Sequence, residues 1–240
     1  MKKLTAYITT GYPDKNFTID LINELKLNGV DAIELGIPFS DPVADGPVIQ
    51  EVNKRALQNG YKIKDTFDVS EKTAKEIDTY WMGYFNNFYH KGYDFMSQKA
   101  KEYGVRGFII PDLPYEEALE YEEYFPLISF VAPTDSKERI KEILKNPKEF
   151  IYLVAYAGIT GAQKKEDLSE IIKFVKEITQ TPLYIGFGVN EKTAKEKAKN
   201  VDGVIVGSAF VSVLLEDIPN SEKIKKIAQK AKIIKEAINS

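Results

Sequence analysis

One glutamate, Glu34, has surroundings that could tune it for acid/base chemistry. It lies in Ala32–Ile37, a segment that is otherwise apolar and that we predict to be a buried strand. A lone carboxylate among apolar neighbours is costly unless it is paired, hydrogen-bonded or protonated. Burial also raises the pKa of a carboxyl group toward neutrality, which suits a general acid or base. Glu34 is therefore either such a group or a structural carboxylate tied to a neighbour, and spacing alone favours neither.

The segment that follows this strand, 38–47, combines three prolines with two aspartates, Asp41 and Asp45. Proline restricts the backbone, so the loop is partly preorganised before any ligand binds. Aspartates in such loops commonly cap turns, and this remains the alternative to a functional role for Asp45.

The composition excludes several classes of site. The chain has 240 residues, with 33 Lys and Arg against 36 Asp and Glu, one histidine and no cysteine. Without cysteine there is no disulfide, no cysteine-based metal site and no cysteine nucleophile. The single histidine, His90, excludes a multi-histidine metal cage, and its Tyr/Phe/Asn-rich surroundings indicate an exposed loop. The charges are interspersed, without the basic footprint that nucleic-acid binding usually leaves.

The start of the chain contains a short apolar run, Leu4–Thr9, after two lysines. It is too short and too rich in threonine for a signal peptide, and we predict a buried strand. No segment approaches the ~20 apolar residues that cross a bilayer. We therefore expect no membrane association and a cytoplasmic location.

Short, continuously apolar segments alternate with amphipathic helical patterns along the whole chain, which is typical of parallel strands covered on both faces. The predicted strands are Leu4–Thr9, Ala32–Ile37, Thr79–Tyr84, Gly107–Pro111, Leu127–Val131, Phe150–Ala155, Pro182–Gly186 and Gly203–Val206. The predicted helices are Phe17–Leu27, Val48–Gln58, Asp65–Ile77, Tyr93–Tyr103, Glu116–Tyr124, Ser136–Leu144, Asp167–Ile178, Lys192–Lys199 and Ser221–Ile238, with a short helix beginning near Ser208.

Eight strand–helix units of about 30 residues fill the chain, and no linker divides it. We therefore predict an α/β protein, a single (β/α)8 TIM barrel over residues 1–240. A doubly wound open sheet is the alternative, because one sequence cannot show that the sheet closes. In a barrel the active site lies in the loops at the carboxyl ends of the strands, where Glu34 and Asp45 would meet.

The sequence also resembles a known family. The segment 34–47, ELGIPFSDPVADGP, is similar to the signature of the tryptophan synthase α subunit family. Further segments that resemble the family follow the same order along the chain. They are Thr10–Asp14, Tyr84–Asn86, Pro111–Glu117, Tyr152 with 158–162, Gly186–Gly188 and Val206–Ala209.

The resemblance implies a lyase that cleaves indole-3-glycerol phosphate to indole and glyceraldehyde 3-phosphate. Glu34 matches the family's catalytic acid/base, and Asp45 matches the aspartate that interacts with the indole nitrogen. Thr160 matches a residue that hydrogen-bonds this aspartate, in a glycine-hinged loop, 158–165, that closes over the substrate. The substrate-binding positions implied are Tyr84, Tyr152, Thr160, Gly161, Gly186, Phe187, Gly188, Gly207 and Ser208.

The chemistry of the residues agrees with these roles. Retro-aldol cleavage needs an acid that protonates C3 of the indole and a base that takes the proton of a side-chain hydroxyl, and one carboxyl with a raised pKa can do both in sequence. A second, ionised carboxylate would stabilise the positive ring. Glycine-rich turns let backbone N–H groups approach a phosphate closely. This chemistry requires neither a metal nor an organic cofactor.

The resemblance also implies a partner, a pyridoxal-phosphate-bearing β subunit that consumes the indole, in an α2β2 complex. Two other functions stay open at this point. One is a different phosphate-binding barrel, such as a sugar-phosphate isomerase or indoleglycerol-phosphate synthase. The other is a non-catalytic activator of a β subunit.

Overall fold

The computed structural model describes residues 1–154 and 167–240. The strands in these two ranges are β1 (Lys3–Thr9), β2 (Ala32–Gly36), β3 (Asp78–Met82), β4 (Gly107–Ile109), β5 (Ser129–Val131), β6 (Ile151–Val154), β7 (Leu183–Gly186) and β8 (Gly203–Val206). The helices are α1 (Lys15–Leu27), α2 (Pro47–Gln58), α3 (Ile63–Thr73), α4 (Phe85–Tyr89), α5 (Tyr93–Tyr103), α6 (Tyr115–Ala118), α7 (Lys137–Ile143), α8 (Ser169–Ile178), α9 (Ala194–Lys197), α10 (Ser208–Leu214) and α11 (Asn220–Ile238).

The eight strands form one parallel sheet in the order β4-β3-β2-β1-β8-β7-β6-β5. A bridge between Phe108 and Leu127 joins the two ends of this order. Phe108 N–H donates to Pro126 O, and Ile128 N–H donates to Phe108 O, each at 2.9 Å. The sheet therefore closes into a (β/α)8 barrel, as predicted, and the open-sheet alternative is wrong.

The strands are buried because helices cover their outer face. Four apolar residues of α1 pack toward the sheet, and Leu4 and Ile33 are fully buried. Within the described residues, none of the helices is both long and apolar enough to cross a membrane.

Near the mouth of the barrel, the edge formed by the carboxyl ends of the strands, the second, third and fourth strands end one or two residues earlier than predicted, at Gly36, Met82 and Ile109. The third strand was predicted to run to Tyr84 but ends at Met82, and the predicted loop after it contains α4. Tyr84 N–H donates to Asn87 Oδ1 at 2.9 Å, and Phe85 N–H donates to Asp112 Oδ1 at 2.8 Å. These side chains satisfy free backbone donors at the start of the helix, so the chain leaves the strand early.

The helix predicted at Glu116–Tyr124 is also shorter than expected. Only Tyr115–Ala118 forms a helix, which continues as turns with i→i−3 hydrogen bonds such as Glu120 N–H to Glu117 O at 3.2 Å. Like charges three and four residues apart destabilise a helix, and Glu116, Glu117 and Glu120 have that spacing.

The barrel interior contains tyrosine rings packed against glycines of the next strand. The pairs are Tyr7 with Gly36, Tyr80 with Gly107, Tyr152 with Gly186 and Tyr184 with Gly203. A Cβ added at Gly36 would lie 2.5 Å from Tyr7 Oη. One added at Gly186 would lie 2.5 Å from Tyr152 Cε1. At Gly36, Gly186 and Gly203 the ring thus occupies the space that a side chain would need, so these three positions require glycine, whereas the Tyr80 ring lies at 3.5 Å from a Cβ on Gly107, an ordinary contact distance.

We expect Gly203→Ala to destabilise the protein by roughly 1–3 kcal/mol, the usual cost of overpacking. The new Cβ would lie 2.8 Å from the Tyr184 ring and 3.0 Å from the backbone oxygen of Lys3, which cannot rotate away. Urea unfolding would measure the loss. Gly46→Ala is the matched control, because a Cβ there meets no atom within 4 Å and its φ of −74° is open to alanine. Equal losses for the two variants would contradict this account.

Candidate active site

Glu34 points into the barrel from β2 and is 2 % exposed. Its register neighbours are Tyr7 on β1 and Tyr80 on β3, whose side chains face the same side of the sheet. Among the residues that the structure describes, none forms a hydrogen bond with its carboxyl group. Burial, and then the charge of Asp45, raise the pKa of Glu34 to about 8. At neutral pH this carboxyl is therefore mostly protonated and can act as an acid.

Asp45 is held at the mouth by the loop between β2 and α2. Tyr84 Oη donates to Asp45 Oδ2 at 3.1 Å and accepts the N–H of Ala44 at 2.9 Å. Asn53 Nδ2 also donates to Oδ2, at 3.4 Å. Burial raises the pKa of Asp45 to about 6, although the hydrogen bonds from Tyr84 and Asn53 oppose the shift. Asp45 is therefore mostly ionised at pH 7, while Glu34 is mostly protonated.

Tyrosine hydroxyls surround this carboxyl pair. Tyr152 is buried on β6, and burial followed by the charges of Glu34 and Asp45 raises its pKa well above the usual value. Tyr84 is buried too, and its ring stacks on Phe39 at 5.1 Å between centroids.

One residue of this group, Tyr7 on β1, was not predicted from the sequence. It is 4 % exposed, and its pKa is raised by burial, by Asp45 and, more weakly, by Glu34. Its place beside Glu34 follows from the pairing of β1 with β2, which one sequence does not show. The available signal was a residue with a polar end in an apolar strand, two positions before the carboxyl end of that strand.

The glycine turns predicted to hold a phosphate lie at the same mouth. Gly186 ends β7 and is followed by Phe187, with φ of 70°, and Gly188, with φ of 69°. Positive φ is unusual for phenylalanine, and such backbone conformations often occur at functional sites. Gly207 directly follows β8, and Ser208 begins α10. The first N–H groups of a helix have no partner within it, and such groups commonly bind anions.

The remaining predicted residues are distributed as follows. Thr160, Gly161 and the predicted closing loop 158–165 lie outside the described residues. His90 is exposed at the end of α4, as predicted. Trp81, the single tryptophan, is fully buried in the core and donates from Nε1 to Ser70 Oγ at 2.8 Å. In the two described ranges, no group of three His, Cys, Asp or Glu side chains could hold a metal ion.

The fold defines a (β/α)8-barrel protein with a pair of interacting carboxyl groups at the mouth, where enzymes of this fold have their active sites. The family model described as tryptophan synthase alpha chain matches residues 1–239. The chain belongs to this family, whose members are lyases that cleave indole-3-glycerol phosphate in tryptophan biosynthesis.

Individual relatives support the assignment over the whole length. A tryptophan synthase alpha chain of Wolinella succinogenes is 53% identical over 247 residues, which cover 100% of this chain and 97% of the relative. A structure of Mycobacterium tuberculosis tryptophan synthase superposes with a TM-score of 0.89 at 30% identity, covering 100% of this chain and 93% of that one. The alpha subunit of Campylobacter jejuni tryptophan synthase gives a TM-score of 0.85 at 33% identity, with 95% of both chains covered.

Proposed function

We propose that Glu34 and Asp45 perform the cleavage of indole-3-glycerol phosphate in this chain. The observation that supports the proposal is the different surroundings of the two carboxyl groups: Glu34 is buried and has no hydrogen bond from the described residues, whereas Asp45 accepts hydrogen bonds from Tyr84 and Asn53. These surroundings give a pKa of about 8 for Glu34 and about 6 for Asp45. Near pH 7, one site thus offers both an acid and an anion. Carboxyl groups whose environments separate their pKa values commonly take different roles in one reaction.

Glu34 first donates its proton to C3 of the indole, which makes the ring a cationic leaving group. The Glu34 carboxylate then takes the proton of the hydroxyl on the carbon attached to the ring. The electron pair of the carbon–carbon bond neutralises the ring, while the hydroxyl oxygen becomes the aldehyde oxygen. Glu34 ends the cycle protonated, as it began, so no further acid or base is needed.

Asp45 stabilises the positive ring by accepting a hydrogen bond from the indole N–H. A fixed carboxylate in a poorly solvated site stabilises a developing charge without reorganising solvent. Tyr84 and Asn53 hold Asp45 in place through the hydrogen bonds to its Oδ2.

The rest of the substrate occupies the mouth. The backbone around Gly186, Gly188, Gly207 and Ser208 holds the phosphate, and the exposed ring of Phe187 lines its edge. Tyr84 and Tyr152 line the space beside the carboxyl groups. The family resemblance adds Thr160 and Gly161, as a partner of Asp45 and a phosphate contact.

The family also supports the partner and the compartment proposed from the sequence. The chain works with a β subunit that carries pyridoxal phosphate and consumes the indole, in an α2β2 complex in the cytoplasm. The chain itself needs no cofactor for the proton transfers described above. Its structural relatives include the Mycobacterium tuberculosis tryptophan synthase.

An assay of indole release with the purified full-length chain tests the proposal, with and without a β subunit. Cleavage of indole-3-glycerol phosphate by the chain alone, increased by the partner, is expected. Stimulation of the partner without any cleavage by this chain would instead support a non-catalytic activator. Turnover of another sugar phosphate alone would support a different barrel enzyme.

We expect Tyr84→Phe to move the acidic limb of the pH profile of kcat/KM upward from about pH 6. The Tyr84 hydroxyl stabilises ionised Asp45 and so lowers its pKa, and removing the hydroxyl lets that pKa rise. A higher pH is then needed to keep Asp45 ionised, so kcat/KM falls on the acidic side of the profile. Tyr121→Phe, in a partly exposed ring cluster beside α5, is the matched control. An acidic limb that stays in place or moves downward would contradict the role given to Tyr84.

A further inference from the structure

We propose that the hydroxyl of Tyr7 donates a hydrogen bond to a side-chain hydroxyl oxygen of the substrate, so that Tyr7 is a further substrate-binding residue. This inference rests on the function proposed above. It concerns the glycerol part of the substrate, for which the carboxyl pair and the phosphate turns supply no dedicated donor.

The side chain of Tyr7 lies between the phosphate turn and the carboxyl pair. β1 lies between β2, which bears Glu34, and β8, which leads to the phosphate turn. A Cβ on Gly207 would lie 3.6 Å from Tyr7 Cβ, and one on Gly36 would lie 2.5 Å from Tyr7 Oη. The side chain therefore runs from the phosphate turn toward the carboxyl pair. The glycerol carbons of the substrate connect the phosphate to the ring and must span the same interval.

The hydroxyl of Tyr7 has little hydrogen bonding within the described residues. Its single contact within the described residues is a long one, in which Thr9 Oγ1 donates to Tyr7 Oη at 3.5 Å. Within the two described ranges the phenol proton thus has no acceptor, although the residue is 4 % exposed. A buried donor without a partner is costly, and a ligand acceptor would relieve that cost. Burial and the two carboxylates hold the pKa of Tyr7 well above its usual value, so the proton stays on the hydroxyl.

The chemistry of the substrate identifies the acceptor. The indole ring offers an N–H donor, which Asp45 accepts, and has no strong acceptor of its own. The phosphate lies at the turns after β7 and β8. The hydroxyl oxygens of the glycerol chain are the acceptors that remain. Tyr7 therefore distinguishes substrates that carry these hydroxyls from indole phosphates that lack them.

The test compares Tyr7→Phe with two ligands. One is indole-3-glycerol phosphate, followed by its kcat/KM, and the other is indole-3-propyl phosphate, which lacks both hydroxyls, followed by its inhibition constant. One lost hydrogen bond predicts a decrease in kcat/KM of about 3- to 10-fold and an inhibition constant that changes by less than about twofold.

Tyr184→Phe is the matched control, because it removes a hydroxyl from another tyrosine–glycine pair. The charges that raise the Tyr184 pKa are Asp31, Asp202, Asp78 and Glu149, which lie at or before the first residues of strands, away from the mouth. We expect it to keep wild-type activity. Equal losses for both ligands in Tyr7→Phe, or no loss for either, would overturn the inference. Failure of the wild-type chain to release indole would instead refute the proposed function.

Discussion

Glu34→Gln is expected to lower kcat for indole release by about 10²- to 10⁴-fold, the range that general acid/base catalysis contributes. Glutamine keeps the shape of the side chain but can neither donate the proton to C3 nor accept the hydroxyl proton. Substrate binding should change much less, because Glu34 acts on bonds that change only during the reaction. Steady-state kinetics of indole release would therefore show the effect in kcat rather than in KM.

The pH profile of the wild-type chain gives an independent measurement for the same assignment. Asp45 must be ionised and Glu34 protonated, so kcat/KM should rise through about pH 6 and fall through about pH 8. Glu71→Gln, on the exposed face of α3, makes the same chemical change outside the site and should keep full activity. If Glu34→Gln cleaved at nearly the wild-type rate, the mechanism proposed here would be wrong.

The same substitution should also stabilise the fold at neutral pH. The pKa of Glu34 is raised from 4.5 to about 8 in the folded state, so the folded chain binds more protons than the unfolded chain between these values. The contribution of Glu34 to stability therefore falls as pH rises through this window. At pH 7, about 2.5 pH units above the unfolded value, the cost is roughly 3 kcal/mol, and Glu34→Gln removes it.

Urea unfolding of both proteins at several pH values would measure this cost. The difference in the free energy of unfolding between Glu34→Gln and the wild type should grow by roughly 3 kcal/mol from pH 4.5 to pH 7. Glu71→Gln, measured over the same range, reports what the substitution does in solvent. A difference for Glu34→Gln that does not vary with pH would show that this carboxyl is not held protonated by the fold.

The loss of activity and the gain in stability expected for Glu34→Gln have the same origin. The fold holds Glu34 where its ionised form is unstable, and that instability makes it an acid at neutral pH. Strain or instability of this kind is common where a site is preorganised for a reaction. Loss of activity together with a gain in stability at pH 7 is thus the expected signature of Glu34→Gln.

The barrel could be predicted because its signals are local. Continuous apolar segments such as Ala32–Ile37 indicate strands that are covered on both sides, whatever their neighbours are. Glu34 was recognisable for the same reason, as a carboxyl inside such a segment. The helix α4 could not be predicted in this way, since it has five residues and its start depends on a hydrogen bond to Asp112, from the loop after another strand.

The roles of the tyrosines were harder to predict because they depend on which strands are neighbours. Tyr84 was predicted to bind substrate, and the structure shows its hydroxyl engaged with Asp45 and the N–H of Ala44. Tyr7 was not predicted at all, because its relation to Glu34 exists only once β1 and β2 are aligned. Sequence patterns identify which side chains are polar and buried, but the alignment of strands decides which of them meet.

The closure of the barrel has a consequence for the way the molecule fluctuates. β1 and β2 are aligned over five residue pairs, whereas β4 and β5 meet through the bridge at Phe108 and Leu127. The ring of strands thus has its weakest contact between β4 and β5. The opposite side of the ring, formed by β2, β1 and β8, carries Glu34, Tyr7 and the turn after β8. We therefore expect thermal fluctuations to open the ring at the β4–β5 contact before they disturb the strands that carry Glu34 and Tyr7.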